Sequence, residues 1–240
     1  MKIQDKIALI TGGTKGIGLG IAESMLEEGM KVAITGRSQD SIDKALSGFP
    51  ENQRPNIIGV VADVTSMEDM QSAVGQTVNK WGQIDVVIAN AGVGHFASIE
   101  DLTADQWKQT IDINLTGVFN TVKTSLDAIK KTEGYFITVA SLAGTNFFAK
   151  GAAYNASKFG LVGFTQAMML DLRQYGIKCS TIMPGSVSTH FNNNTPSDSG
   201  AWKIQPEDIG QMTIDLLKMH PRTLPSKIEV RPTMPPGSKK

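Results

Sequence analysis

Cysteine and histidine are scarce in this chain, and that removes two kinds of chemistry. The single Cys179 cannot close an internal disulfide, and its setting in IKCSTI reads as a buried strand position packed in the core. His95, His190 and His220 follow no ligand spacing and have no carboxylate cluster beside them, so no metal is expected. Net charge is also missing: 23 basic residues balance 23 acidic ones, which excludes the electrostatic footprint of a nucleic-acid or anionic-membrane partner. Long apolar runs are absent too. The opening MKIQDKIALITGG is interrupted by charges and ends in glycines, too brief for a signal peptide or a membrane span, so a cytoplasmic location is expected. Internal repeats and low-complexity linkers do not occur either, and 1–240 is read as a single domain.

What the chain does have is a rhythm. Apolar, β-branched runs recur at KIALIT, KVAIT, NIIGVVA, IDVVIAN, GYFITVA, IKCSTIM and KIEV, with helix-spaced segments between most of them. Near-continuous apolar strands, rather than alternating ones, imply burial on both faces. The expectation is an α/β fold: a doubly wound, seven-stranded parallel sheet of the Rossmann type with helices on both faces.

Directly after the first run comes TGGTKGIG, residues 11–18, followed by a helix-forming segment closed by Gly29. A dinucleotide pyrophosphate suits that place. Gly12 allows a tight turn, Gly16 lets backbone approach phosphate, Gly18 lets strand and helix pack closely, and the helix N-terminus offers unpaired N–H groups. The spacing is G-x-x-x-G-x-G rather than G-x-G-x-x-G, so the strand-to-helix context carries the argument more than the pattern.

The second run tells which nucleotide. A carboxylate about twenty residues after the glycines usually accepts the 2′-hydroxyl of NAD, but KVAITGRS puts Gly36 there and Arg37 beside it. Arg37 can hold a 2′-phosphate with forked charge-assisted hydrogen bonds, and Lys15 adds a second cation. NADP(H) is therefore expected in preference to NAD(H).

GAAYNASKFG, residues 151–160, sets Tyr154 and Lys158 four apart at the start of a long amphipathic segment, hence on one helix face. A free phenol has a pKa of about 10. A lysine cation about 4 Å away at an effective dielectric of about 20 contributes roughly 4 kcal/mol, about three pKa units toward tyrosinate, so the phenol is expected near neutrality. Ser141, at the end of the fifth run, can donate to a developing alkoxide.

TGGTKGIG, NAG at 90–92, Ser141 in VASLAG and YNASK, in this order, closely resemble the short-chain dehydrogenase/reductase family over nearly the whole chain. The resemblance implies NADP(H)-dependent interconversion of a carbonyl and a secondary alcohol, with Asn114, Ser141, Tyr154 and Lys158 as catalytic residues. It also implies cofactor contacts from Gly12, Thr14, Lys15, Gly16, Ile17 and Gly18, from Asp63 and Val64 at the adenine, and from Asn90, Ala91 and Gly92 at the adenosine ribose. Tyr154 and Lys158 reach the cofactor as well, and Pro184, Gly185, Val187 and Thr189 surround the nicotinamide amide. Asn114, in IDINLTG, matches the asparagine whose backbone bends a helix and holds a water for a proton relay. Similar members pair through the helices around VFNTVKTSLDAIKK and AAYNASKFGLVGFTQAMMLDL, which implies a homo-oligomer, a dimer or tetramer, with Met168 and Met169 read as core.

The resemblance favours a reductase, since NADPH is usually kept reduced in cells. Two alternatives stand beside it: a 3-oxoacyl-[acyl-carrier-protein] reductase, whose V-x-G-G ending is replaced here by KIEVRPTMPP, and a nucleotide-binding scaffold without turnover. SVSTHFNNNTPSDSGAWKIQ, 186–205, reads as a short substrate flap, and RPTMPPGSKK as an extended tail. Phe96, Phe147, Phe148, Phe191 and Trp202 fall in loops gathered above the nicotinamide, and His95 and His190 are candidates to line the same pocket.

Overall fold

The computed structural model describes residues 2–234. Its centre is a seven-stranded sheet in the order β3-β2-β1-β4-β5-β6-β7, with every neighbouring pair parallel. The strands are β1 Ile7–Ile10, β2 Lys31–Gly36, β3 Ile57–Val61, β4 Val86–Ala89, β5 Tyr135–Val139, β6 Lys178–Pro184 and β7 Lys227–Val230. All seven expected runs form strands, and the doubly wound α/β fold is the one observed.

Among the described residues seven α-helices flank the sheet: α1 Gly16–Glu27, α2 Gln39–Ser47, α3 Met67–Trp81, α4 Ala104–Ile111, α5 Gly117–Thr132, α6 Ala152–Leu172 and α7 Pro206–Lys218. Alternate strand residues feed opposite cores, as pleating requires. Ala8, Ile10, Val32, Ile34, Val86 and Ile88 pack with α1, α2 and α7. Leu9, Ala33, Val87, Ala89 and Phe136 pack with α5 and α6, and Cys179 lies fully buried among them. That burial pushes its thiol up to about 12, the behaviour of an inert core cysteine. Met168 is also core, with Met169 packed partly buried against it.

The chain runs outward from β1 in both directions, so the strand order reverses between β1 and β4. A crevice opens at the carboxyl ends of strands at such a switch point. Between α4 and α5, residues Asp112–Thr116 form a π-turn. Asn114 lies in the middle of that turn.

Candidate active site

A cavity of 1610 Å³ lies along the carboxyl ends of the strands. That exceeds the 300–1,000 Å³ of an ordinary small-ligand pocket and leaves room for a dinucleotide with a second molecule. Every residue expected in catalysis or at the cofactor lines it except Gly18 and Asn114, which stand just behind the lining.

At the nucleotide end, Gly12 and Gly16 have φ of +64° and +56°, a left-handed conformation that glycine adopts without strain. An added Cβ at Gly18 would come 2.4 Å from the Gly12 carbonyl oxygen, so this third glycine lets helix and loop touch. Asn90 braces the loop from β4, its amide donating to the Thr11 and Gly12 carbonyls at 3.0 Å each. Thr11 Oγ1 in turn accepts from the Asn90 and Ala91 amides. At the start of α1 the cap position is Lys15, with no side-chain cap hydrogen bond and no acid in the first turn. The leading N–H groups of that helix are thereby left to an anion.

Arg37 and Lys15 line the same end, both exposed. At Gly36 an added Cβ would meet Thr14 Cγ2 at 2.7 Å, so no side chain fits beside Arg37 without moving Thr14. Ser38 caps α2 by accepting from the Ser41 amide. Sequence reasoning passed over Ser38, although Ser before a helix-forming run with Asp40 in its first turn is a readable cap signal. Asp63 is fixed by its own turn, accepting from Thr65 N and Oγ1 at 2.9 and 2.8 Å. Val64 is held through its carbonyl by Asn120 at 2.9 Å.

At the other end, Tyr154 stands in the first turn of α6, with the Ser141 side chain, which follows β5, acting on its hydroxyl. Ser141 Oγ accepts from the Ala143 amide at 3.1 Å and donates to the Pro184 carbonyl at 3.5 Å. Lys158, one turn along α6, is buried, and its Nζ donates to the Val139 carbonyl at 3.0 Å. Asn114 is fully buried behind them: its Oδ1 accepts from Val93 N at 2.8 Å, while its amide donates to Val93 O at 2.8 Å and Ser157 Oγ at 3.0 Å.

The electrostatics depart from expectation. The Tyr154 phenol is pushed above its ordinary value, not down toward neutrality, because burial outweighs the opposing influence of the Ser141 side chain. Lys158 is itself lowered by burial to about 8, and its short contact is to β5 rather than to the phenol. Taking both groups out of water costs more than the attraction of cation for phenolate returns, a cost that i, i+4 spacing does not carry.

Of the loop residues, Phe96, Phe147, Phe148, Phe191, Trp202 and His190 line the cavity. His95 does not; its Nε2 pairs with Gln109 Oε1 at 2.6 Å. Residues 186–205 are closed on themselves by a parallel bridge of Val187 to Ile204, with Ser188 N donating to Ile204 O and Ile204 N to Ser186 O. Pro184 and Gly185 leave the end of β6, and Gly185 N donates to Val230 O. Arg231, Pro232, Thr233 and Met234 turn back to line the cavity, which the tail's proline content did not reveal; the rest of RPTMPPGSKK lies outside the described residues. Asn155 was also missed. Its amide donates to the carbonyls of Ala143 and Asn146 at 2.8 Å, tying the 143–148 loop to α6.

A family model described as short chain dehydrogenase matches residues 6–200. The chain belongs to the short-chain dehydrogenases. An uncharacterized oxidoreductase of Staphylococcus saprophyticus is 31% identical over 234 residues, 97% of this chain and 99% of the other. The trans-4-hydroxycyclohexanecarboxylate dehydrogenase of Sinomonas cyclohexanicum is 36% identical over 194 residues, 78% of this chain and 74% of its own. Among solved structures, an alcohol dehydrogenase from the archaeon Thermococcus sibiricus, complexed with 5-hydroxy-NADP, aligns with a TM-score of 0.89 at 26% identity, covering 95% of this chain and 97% of that one.

As a short-chain dehydrogenase the protein is an oxidoreductase of alcohol and ketone groups. Its residues fit the nicotinamide dinucleotide such enzymes use, on two observations: an uncapped helix N-terminus behind a left-handed glycine loop, and a buried ammonium, Lys158, whose described partner is one carbonyl. Among the described residues, no group of three or more His, Cys, Asp or Glu could hold a metal, and no helix is long and apolar enough to cross a membrane.

Proposed function

We propose that this short-chain dehydrogenase is an NADP(H)-dependent carbonyl reductase. The observation that carries the reading is the meeting of three groups at one end of the cavity, the hydroxyls of Ser141 and Tyr154 and the ammonium of Lys158, while Arg37 and Lys15 flank the other end. Gly12, Thr14, Gly16 and Ile17 would hold the pyrophosphate, Arg37 and Lys15 the 2′-phosphate, and Asp63 and Val64 the adenine. Asn90, Ala91 and Gly92 would lie along the ribose, and Pro184, Gly185, Val187 and Thr189 around the nicotinamide. When bound, the reduced nicotinamide supplies the hydride.

The chain supplies the rest. Ser141 donates to the substrate oxygen and strengthens as negative charge grows there. Tyr154 delivers the proton to that oxygen. Its raised pKa suits this direction, because a phenol above its ordinary value of about 10 is fully protonated at neutral pH and ready to act as an acid. Lys158, with its pKa lowered to about 8, remains mostly an ammonium at neutral pH and stabilises the tyrosinate left behind. Asn114 fixes the π-turn and the 93-loop against α6, and so the spacing of the other three.

The same reading makes the chain one domain and the enzyme cytoplasmic, where NADPH is kept reduced, and self-associated as a dimer or tetramer. Exposed Phe119 on α5, with Phe159 and Leu170 on α6, supports self-association. The deciding experiment follows NADPH oxidation against diketones, ketoesters, 3-oxoacyl thioesters, quinones and ring ketones, with Tyr154→Phe as the control. Activity lost in that variant, with NADPH still bound, supports the reading. Firm NADPH binding without turnover of any carbonyl would leave the scaffold alternative standing.

A further inference from the structure

We infer that the substrate recess takes a ketone borne on, or directly beside, a compact apolar ring, held among Phe96, Phe148 and Phe191 with its oxygen toward Tyr154. The inference rests on the reductase reading above and specifies its substrate class. The phenol ring of Tyr154 has two phenyl neighbours, Phe96 at 5.3 Å between centroids and edge-on at 67°, and Phe191 at 5.8 Å. Phe96 joins the set to Phe148 at 5.8 Å and to Phe191 at 6.4 Å. Three separate loops contribute these rings, so no single helix periodicity brings them together.

Two glycines make space for them. At Gly94 an added Cβ would come 2.7 Å from Phe191 Cζ and 2.9 Å from Phe96 Cζ, and at Gly151 one would come 2.7 Å from Phe148 Cε2. A parallel bridge of Ala97 to Gly151 sets two of the loops side by side, and the Phe191 amide, donating to Thr189 Oγ1 at 3.2 Å, fixes the third. The rings are therefore seated before any substrate arrives. Phe96 and Phe148 nevertheless remain 38% and 47% exposed, apolar surface in a concave site that an apolar ring would cover.

Charge points the same way. Among the described residues lining the cavity the only acids are Glu23 on α1 and Asp63 after β3, and neither belongs to the three loops that carry the phenyl rings. A ring gains edge and face contacts with phenyl groups beyond the area it buries and has few rotors to freeze. A flexible acyl arm gains neither advantage.

The test compares a cyclohexanone or aryl ketone with an acyclic ketone of the same carbon number, in the wild type and in Phe96→Leu, Phe148→Leu and Gly94→Ala. Phe148 is half exposed, so its variant keeps the test open if Phe96→Leu does not fold. NADPH affinity and circular dichroism establish folding. The wild type is expected to favour the ring ketone at least tenfold in kcat/KM, and each variant to lose most of that ratio, chiefly through KM of the ring ketone. Equal use of both ketones, or a ratio unmoved in all folded variants, overturns the ring inference and leaves the reductase reading intact. Turnover of neither ketone by NADPH-bound enzyme overturns the ring inference, and failure across the whole carbonyl panel overturns the reductase reading as well.

Discussion

Lys158 stands one helical turn from Tyr154, with its ammonium 5.8 Å from the centre of the phenol ring and donating at 3.0 Å to the Val139 carbonyl. The cation is near enough to bias the phenolate yet held by β5, and it is buried at a cost. Burial lowers Lys158 from an ordinary 10.5 to about 8, so carrying its charge at neutral pH costs the free protein about 3 kcal/mol.

The pH dependence of stability follows with a definite sign. Below about pH 8 both folded and unfolded chains hold the Lys158 proton, and the penalty is full and constant. As pH rises above 8 the folded chain sheds that proton while the unfolded chain keeps it, so stability increases, by up to about 1.4 kcal/mol per pH unit. From about pH 9 the trend is opposed, since Cys179 is raised to about 12 and only the unfolded chain ionises its thiol. Urea midpoints measured without cofactor at pH 7, 8, 8.5 and 9 are expected to rise over that last unit in the wild type and to stay flat or fall in Lys158→Met. Parallel pH slopes in the two proteins would assign the effect elsewhere.

Ser141→Ala removes the hydrogen bond proposed for the substrate oxygen and leaves Tyr154 in place. Such a donor contributes about 2.7–4 kcal/mol where charge develops, so kcat is expected to fall about 10²–10³-fold with the NADPH dissociation constant unchanged. A loss expressed mainly in KM would mean that Ser141 binds the ground state and not the transition state.

What the sequence disclosed and what it withheld divide along physical lines. β-Branched runs such as KVAIT and IDVVIAN announced strands because burial on both faces forces their composition. The glycine loop was legible since glycine adopts φ of +64° and +56° at those turns without strain. The Tyr154 acidity was misjudged, because desolvation is a property of the assembled site and not of i, i+4 spacing. Arg231–Met234 beside the cavity, and the fit of Gly94 beneath Phe191, are contacts between segments far apart in the chain, and local pattern holds no trace of them.

Arg37→Asp replaces the cation expected at the 2′-phosphate with a charge that repels it and can accept from a 2′-hydroxyl. Hydrogen bonds to charged groups contribute about 1.5–3 kcal/mol, so NADPH affinity is expected to fall about ten- to a hundredfold while NADH affinity holds or improves. Because Arg37 is exposed, the wild-type advantage of NADPH over NADH should also shrink between low and physiological salt. Fluorescence titration of both nucleotides measures this, and unchanged discrimination in the variant would remove Arg37 from the site.

Asn114 reaches two elements at once, closing both polar groups of Val93 and donating to Ser157 on α6. Its truncation to alanine leaves the Val93 amide and carbonyl without these partners, at about 1–3 kcal/mol for each group stranded away from water. Ser157→Ala takes one acceptor from an Asn114 amide that still donates to the Val93 carbonyl, and removes the hydroxyl that donates to the Tyr154 carbonyl at 2.8 Å, so it strands less and should cost about 1 kcal/mol. The two losses share a bond, and the double variant is expected to cost less than the two single effects together. Urea unfolding of the four proteins reads the coupling directly. Strict additivity would mean that the 3.0 Å contact between Asn114 and Ser157 contributes nothing, and that the π-turn is held to α6 by packing alone.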